Sequence, residues 1–297
     1  MIARTPGGLL GRFVERVWVT DAGGTAGLER VVPTGRMHLV VRLDPRPLAI
    51  YADEADGEGE RFRGSVVGGA RARYHIRDGS TGGPSVGALL RPGAARALLG
   101  APAREFSGRH VSLADVWGDA AARLEGRLVE AEGEAARLAI FEAELLGRLL
   151  EAHRVAVDPR LEAAAVRLAE GARVAEVAAA LGQSPRRFFA WFEEAVGLAP
   201  KRYAAVVRAS RALALAAKRP ELSWTSIAER LGYSDLAHLH RELRALSGVT
   251  PREFRAIAPA HPNHLPLSPI RSSAARQPAE RSTHDPDPRS LHLPPRA

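Results

Sequence analysis

Hydrophobic and polar positions change rhythm along the chain. Up to about Leu90 the apolar residues alternate or come in short runs: "RFVERVWV" (12–19), "RMHLVVRL" (36–43), "PLAIYA" (47–52), "SVVGG" (65–69), "RARYHI" (71–76) and "SVGALL" (85–90). Gly, Pro and Asp clusters such as "DAGGTAG" and "ADEADGEGE" separate them. Short alternating runs between such breakers predict β-strands. Near Ala94 the period lengthens, and "AARALLG" predicts a short helix. Between Asp119 and His153 one apolar face runs through Leu124, Leu128, Leu138, Phe141, Leu145 and Leu149, the spacing of helices. "VDPR" (157–160) breaks that pattern, and a new helical series starts at Leu161. From Pro259 to Ala297 nine prolines fall among 39 residues with no period. Such a segment lacks the apolar surface to offset its ordering entropy, so a disordered tail is expected there, its four histidines sharing no ordered site.

An internal repeat organises the second half. "VAAALGQSPRRFFAWFEEAVGLAPKRY" (177–203) recurs as "IAERLGYSDLAHLHRELRALSGVTPREF" (227–254). Ala178, Leu181, Gly182 and Ser184 match Ala228, Leu231, Gly232 and Ser234. Phe188, Phe192, Gly197, Pro200 and Tyr203 match Leu239, Leu243, Gly248, Pro251 and Phe254 after one extra residue in the second copy. Each copy reads as helix, tight turn, helix. Gly182 and Gly232 end the first helix in a left-handed conformation, and Ser184 or Ser234 caps the next, with Pro185 at its first position in copy one. Two helices joined by a Gly-containing turn make a helix-turn-helix motif.

On such a helix Leu239, Leu243 and Leu246 form one stripe, with Ala237, Arg241 and Arg244 opposite. In copy one Phe188, Phe192 and Ala195 point inward, and Arg186, Ala190 and Glu193 outward. His238 and His240 fall on different flanks, because residues two apart on a helix do not face each other. That pair cannot chelate one metal ion.

Charge changes the picture by its placement. The net charge is +8. Residues 1–157 are nearly balanced, with 21 Arg and Lys against 20 Asp and Glu, whereas residues 158–258 carry 16 against 11. A basic repeat region beside a near-neutral partner is the distribution of a nucleic-acid-binding module. Cysteine is absent, which excludes disulfides, thiolate metal sites and cysteine nucleophiles. No apolar run is long enough to span a bilayer and the N-terminus lacks the apolar stretch of a secretory signal. A cytoplasmic, nucleoid-associated protein is expected.

The region from about Asp158 to Ile257 resembles the AraC-type (AraC/XylS) DNA-binding domain. The resemblance rests on the two repeat copies and the connecting "VVRASRALALA". It implies two helix-turn-helix units joined by a long helix, each placing its second helix in a major groove. By this resemblance Arg186, Arg187 and Ala190 are groove-facing in unit one, and Ala237, His238 and Arg241 in unit two. Arg244, Arg208, Arg211 and Lys201 are expected to contact phosphates, which anchor without reading sequence. One departure is Ala190, which stands where the family commonly has arginine, with Glu193 and Glu194 after it. Unit two is therefore expected to carry more of the specificity. Removal of the tail is expected to leave DNA affinity nearly unchanged.

The first half has weaker resemblances. "VVPTGRMHLVVRL", "ALLRPGAARALLG" and "VSLADVWG" look like segments of the β-rich sensor domain that precedes some AraC-type modules. That implies a small barrel-like, cupin-like domain. In "RMHLVVRL", Met37, Leu39, Val41 and Leu43 share one face and His38, Val40 and Arg42 the other. His38 and Arg42 either line a ligand cavity or face solvent. His75 reads equally as a structural residue, and Trp18, Trp117 and Tyr74 read as core. The His-x-His strand with a following Glu of the metal-binding cupin is missing, so no metal and no cofactor are expected.

The chain is thus expected to be α+β. Residues 1–118 form a β-rich sensor-like domain, 119–157 a helical linker, 158–258 an all-α double helix-turn-helix domain and 259–297 a disordered tail. The expected function is sequence-specific transcription regulation without enzymatic activity. The expected partner is double-stranded DNA. RNA polymerase, a small-molecule effector and a second copy of the chain remain open as partners, and a membrane does not. A DNA-repair alkyltransferase fused to the module would need an acceptor cysteine, and no Gly-x-Ser-x-Gly signature is present. An interaction protein that has lost DNA binding is the other alternative.

Overall fold

The computed structural model describes residues 2–21, 27–152 and 157–267. The alternating half folds into β1 (Ile2–Arg4), β2 (Val14–Thr20), β3 (Leu28–Val31), β4 (Met37–Arg42), β5 (Leu48–Tyr51), β6 (Glu60–Phe62), β7 (Val66–Gly68), β8 (His75–Asp78), β9 (Ser85–Leu90) and β10 (His110–Ser112). One sheet runs β1-β2-β9-β4-β7-β10. The other runs β11-β3-β8-β5-β6, where β11 (His264–Pro266) arrives from the far end of the chain. All the pairings are antiparallel. The sheets face each other without closing into a barrel, and β6 and β10 are free edges.

Alternation on β4 decides what lies on either side of its sheet. Met37, Leu39 and Val41 are buried in the main apolar core. His38, Val40 and Arg42 point the other way, and Val40 packs with Val66, Leu48, Ile50 and Phe62 in a small cluster between the sheets. Helices cover the main-core face: α1 (Ala95–Leu99), α2 (Leu113–Trp117), α3 (Asp119–Glu130) and α4 (Glu134–Glu151). The stripe Leu124, Leu128, Leu138, Phe141, Leu145 and Leu149 is buried throughout, and α4 lies on β2 and β9. Within the segment expected as a helical linker, α3 packs on α4 and α4 on the first sheet. Trp117 and Tyr74 are core, as expected, and Trp18 is half-buried.

The second half is helical: α5 (Pro159–Ala169), α6 (Val174–Ala180), α7 (Pro185–Val196), α8 (Pro200–Lys218), α9 (Trp224–Arg230), α10 (Leu236–Ser247) and α11 (Pro251–Ile257). The "VDPR" break becomes an N-terminus, where Asp158 accepts the backbone N–H of Arg160 at 2.9 Å and Pro159 takes the first turn. Helix α8 is the axis, with α5, α7 of the first repeat, and α9, α10 and α11 packed on it. A single apolar core joins both halves of the chain and includes Val14, Leu39, Phe141, Phe188 and Leu243.

The tail expectation needs correction. Residues 259–267 are ordered, with His264 opposite Val31, Leu265 opposite Arg30 and Pro266 opposite Glu29. Leu265 is fully buried. An edge strand tolerates a proline, so proline content alone was a poor guide here. The rest of the expected tail, 268–297, lies outside the described residues, as does His153.

Candidate nucleic-acid interface

Each repeat builds the same short device. Gly182 (φ +63°) and Gly232 (φ +70°) make the left-handed turn that ends α6 and α9. The Ser184 hydroxyl then accepts the Arg187 backbone N–H and starts α7. In the second copy the cap is Asp235 rather than Ser234: its carboxylate accepts the His238 backbone N–H at 2.6 Å. That N–H and the Ser234 hydroxyl hold Asp235 below the usual carboxylate range. The extra residue of copy two precedes the cap, so Asp235 is the true counterpart of Ser184.

With that register, Arg186, Phe189, Ala190 and Glu193 on α7 correspond to Ala237, His240, Arg241 and Arg244 on α10. All are exposed except the half-buried Glu193. Beneath them Phe188, Phe192, Leu239, Leu243 and Leu246 are buried. Phe189, 44% exposed, is an outward residue the sequence reading passed over. The signal was present in "RRFFAWF", where one of two adjacent phenylalanines must point away from the core.

Other predicted residues are placed differently. His238 is half-buried, its Nδ1 3.1 Å from the Ser234 hydroxyl, its ring edge-on to Tyr233 and its Nε2 3.6 Å from Glu242. His240, not His238, occupies the outward position. Arg208 is not free for phosphate either. Its guanidinium donates to both Glu242 oxygens, at 3.0 and 2.5 Å, and stacks on Tyr233, tying α8 to α10. Arg211 donates to the Ala169 carbonyl at the end of α5 (2.8 Å) but stays exposed. Arg244 pairs with Glu253 at 3.1 Å. Arg187 is exposed on the first turn of α7, and Lys201 and Arg202 are exposed on that of α8.

The β-rich domain grips the C-terminal end of both outward helices, where carbonyls lack helical partners. At α7 the Gly93 N–H donates to the Ala195 carbonyl (3.1 Å), the Ser107 hydroxyl to the Gly197 carbonyl (2.5 Å), and Arg96 pairs with Glu194. At α10 the Tyr74 N–H donates to the Leu246 carbonyl at 2.8 Å. Between them the Arg36 guanidinium donates to the Tyr203 hydroxyl of α8 at 2.7 Å.

In the first domain, Arg42 is buried and donates to the carbonyls of Arg46 (2.6 Å) and Thr81 (2.7 Å). It fastens the loops around Arg46 and Thr81. His38 faces the other sheet and meets His110, which meets His75. Among the described residues no group of three or more His, Cys, Asp or Glu side chains could hold a metal ion. No helix is long and apolar enough to cross a membrane.

Comparison with known proteins supplies two family matches. Residues 177–257 match the model of a helix-turn-helix domain, and residues 3–112 that of a domain of unknown function, DUF6597. No curated protein matches the chain. Among solved structures, ToxT from Vibrio cholerae is 11% identical, covering 81% of this chain and 96% of that one (TM-score 0.43). An AraC-type DNA-binding domain protein from Chromobacterium violaceum is 28% identical over 34% of this chain and 94% of that one (TM-score 0.30). The C-terminal domain of AraT from Geobacillus stearothermophilus is 19% identical over 40% and 96% (TM-score 0.32). The helix-turn-helix match falls on the two capped, outward-facing repeats around α8. Residues 177–257 thus form a helix-turn-helix domain, which the chain carries behind a β-rich N-terminal domain.

Proposed function

We propose that α7 and α10 read successive major grooves on one side of a DNA duplex, and that the β-rich domain is the sensor that governs this reading. The observation that carries the proposal is the residue-by-residue recurrence of an exposed face on two capped helices. Helix α8 has 19 residues and so is about 28 Å long at 1.5 Å per residue. With the width of the bundles it joins, it suits grooves about 34 Å apart. Arg241 and Arg186 are the guanine readers, each able to form a bidentate contact. Phe189 offers an apolar surface to a thymine methyl, and Lys201, Arg202 and Arg211 anchor phosphates. Unit two presents arginine where unit one presents Ala190, so it carries more of the sequence preference. The protein acts in the cytoplasm on the nucleoid, without enzymatic activity. A small-molecule effector, a second copy of the chain and RNA polymerase are the further partners of this reading.

The test is competition binding between operator and random duplex. Arg241→Ala is expected to lose about 1–3 kcal/mol of discrimination. Lys201→Ala is expected to weaken both DNAs alike and to flatten the fall of affinity with salt. Equal losses on both DNAs for both variants would overturn the assignment of readers and anchors.

A further inference from the structure

The facing surfaces of the two sheets are unusually polar at one end. On the first sheet His38, Gly68 and His110 form one cross-strand row, since Gly68 lies opposite both histidines. Glycine is required there because a Cβ at position 68 would run into the His38 ring. The opposite sheet contributes His75, whose ring centroid lies 4.9 Å from that of His110. Arg77, Glu29 and His264 complete that side: Arg77 is paired with Glu29, and His264 Nδ1 lies 3.2 Å from the same carboxylate. Those charges are matched.

Arg71 is different. One of its Nη groups donates to Nδ1 of His110 at 3.0 Å. A guanidinium has no acceptor atom, so Nδ1 of His110 accepts and the ring proton sits on Nε2. Nε of Arg71 has no hydrogen-bond partner and no solvent contact, and the same holds for Nδ1 of His75, a residue only 5% exposed. No carboxylate pairs with Arg71 among the described residues, and Glu60 acts on it only at a distance. A half-buried cation with no ion pair and one N–H shut off from both partner and water, beside an unsatisfied polar atom, is costly.

A cleft of about 540 Å³ between the free edges β6 and β10 borders this cluster at His110. Arg61, Arg63 and Arg109 line it against a single acid, Asp115, with Phe62 and His110 also in its wall. Its size is that of a small-molecule site and its charge attracts anions. Arg71, Arg77 and the N–H of His110 repel a metal cation.

We propose that this space binds a compact organic anion, a carboxylate or phosphate ester with an apolar body, whose oxyanion bonds to Arg71 and the histidines while its body rests on Phe62. The proposal rests on reading the β-rich domain as a sensor and names the chemistry of what it senses. With the site empty, burial pushes His38, His75 and His110 toward the neutral form. A bound anion reverses this, so binding takes up protons. Arg71 and Arg77 oppose protonation of these rings, and His264 opposes that of His38 and His75 when it is itself protonated.

The experiment uses the full chain and three probes of similar shape: benzoate, phenyl phosphate and neutral benzamide. Benzoate or phenyl phosphate is expected to raise the melting temperature saturably and benzamide not to, the stronger of the two anions telling carboxylate from phosphate. Binding by calorimetry is expected to be tighter at pH 6 than at pH 8, with proton uptake. Arg71→Gln is expected to weaken the anion about tenfold or more, the scale of a lost charge-assisted hydrogen bond. Without ligand the variant should melt no lower than wild type, which a merely structural arginine would not allow; Arg71→Lys, which keeps the charge, should retain partial binding. Anions that stabilise no better than benzamide, or equally in wild type and Arg71→Gln, overturn the site. DNA affinity is measured in parallel. Anion binding without a change in DNA affinity keeps the site and sinks the sensor reading, whereas specific DNA binding without anion binding sinks the site and leaves the DNA-reading assignment standing.

Discussion

A histidine whose surroundings lower its proton affinity couples the fold to pH. The ordinary imidazole value is near 6.5, and seclusion between the sheets brings His38 down to about 4. Between those values the unfolded chain binds a proton that the folded chain refuses, so stability rises with pH across this window and is lost as pH falls through it. Denaturant midpoints measured from pH 7 to pH 4 are expected to decline steadily for the wild type and less steeply for His38→Gln. Some slope should remain, because His75 and His110 are displaced in the same direction. Identical slopes would count against the assignment. The sequence could not show this cluster: its members sit on three strands, and only the register of β4, β7 and β10 brings two of them beside one glycine. The exposed arginines of α7 and α10 were legible because a helical period and an internal repeat are local. Which cations were already committed was not, as Arg208 shows, since Glu242 lies on another helix.

Single elements differ in how far their ends depend on the rest of the chain, and two glycines separate these contributions. Gly182 and Gly248 both adopt positive φ, +63° and +74°. An added Cβ at Gly182 would meet nothing, whereas at Gly248 it would come within 2.6 Å of the Tyr74 ring. Gly182→Ala should therefore cost only the backbone penalty, about 1–2 kcal/mol. Gly248→Ala should cost the same plus displacement of Tyr74, and should also loosen the hold of the β-rich domain on α10. Urea unfolding of the two variants checks this, and equal losses would mean that Tyr74 yields freely. Elements were readable where apolar residues clustered between breakers, even in the short β5 and β7. Six strands and the long helices follow from the apolar period, though "RARYHI" (71–76) ends up as β8, which starts four residues late and ends two late. β1, β3, β6, β10 and β11 have three or four residues each, with charged residues, His or Pro among them, so no apolar run declares itself. They are strands because of the neighbour they pair with.

At the scale of the molecule the chain is not two beads on a string. It builds most of a sandwich, then the helix-turn-helix domain, and finally returns to finish the sandwich with β11 along β3. Truncation after Ala258 is expected to lower the melting temperature by removing the buried Leu265 (about 2 kcal/mol of apolar burial) and the ladder on β3, and to promote self-association through the exposed edge. Melting curves and light scattering of the truncated chain test this; indistinguishable behaviour would show β11 to be dispensable. The return strand also has a meaning for biosynthesis. The contact between Glu29 and His264 joins residues 235 apart. At roughly 5–20 residues per second, a ribosome leaves the β3 edge without its partner for some ten seconds to a minute, during which a chaperone or a neighbouring nascent chain can claim it first.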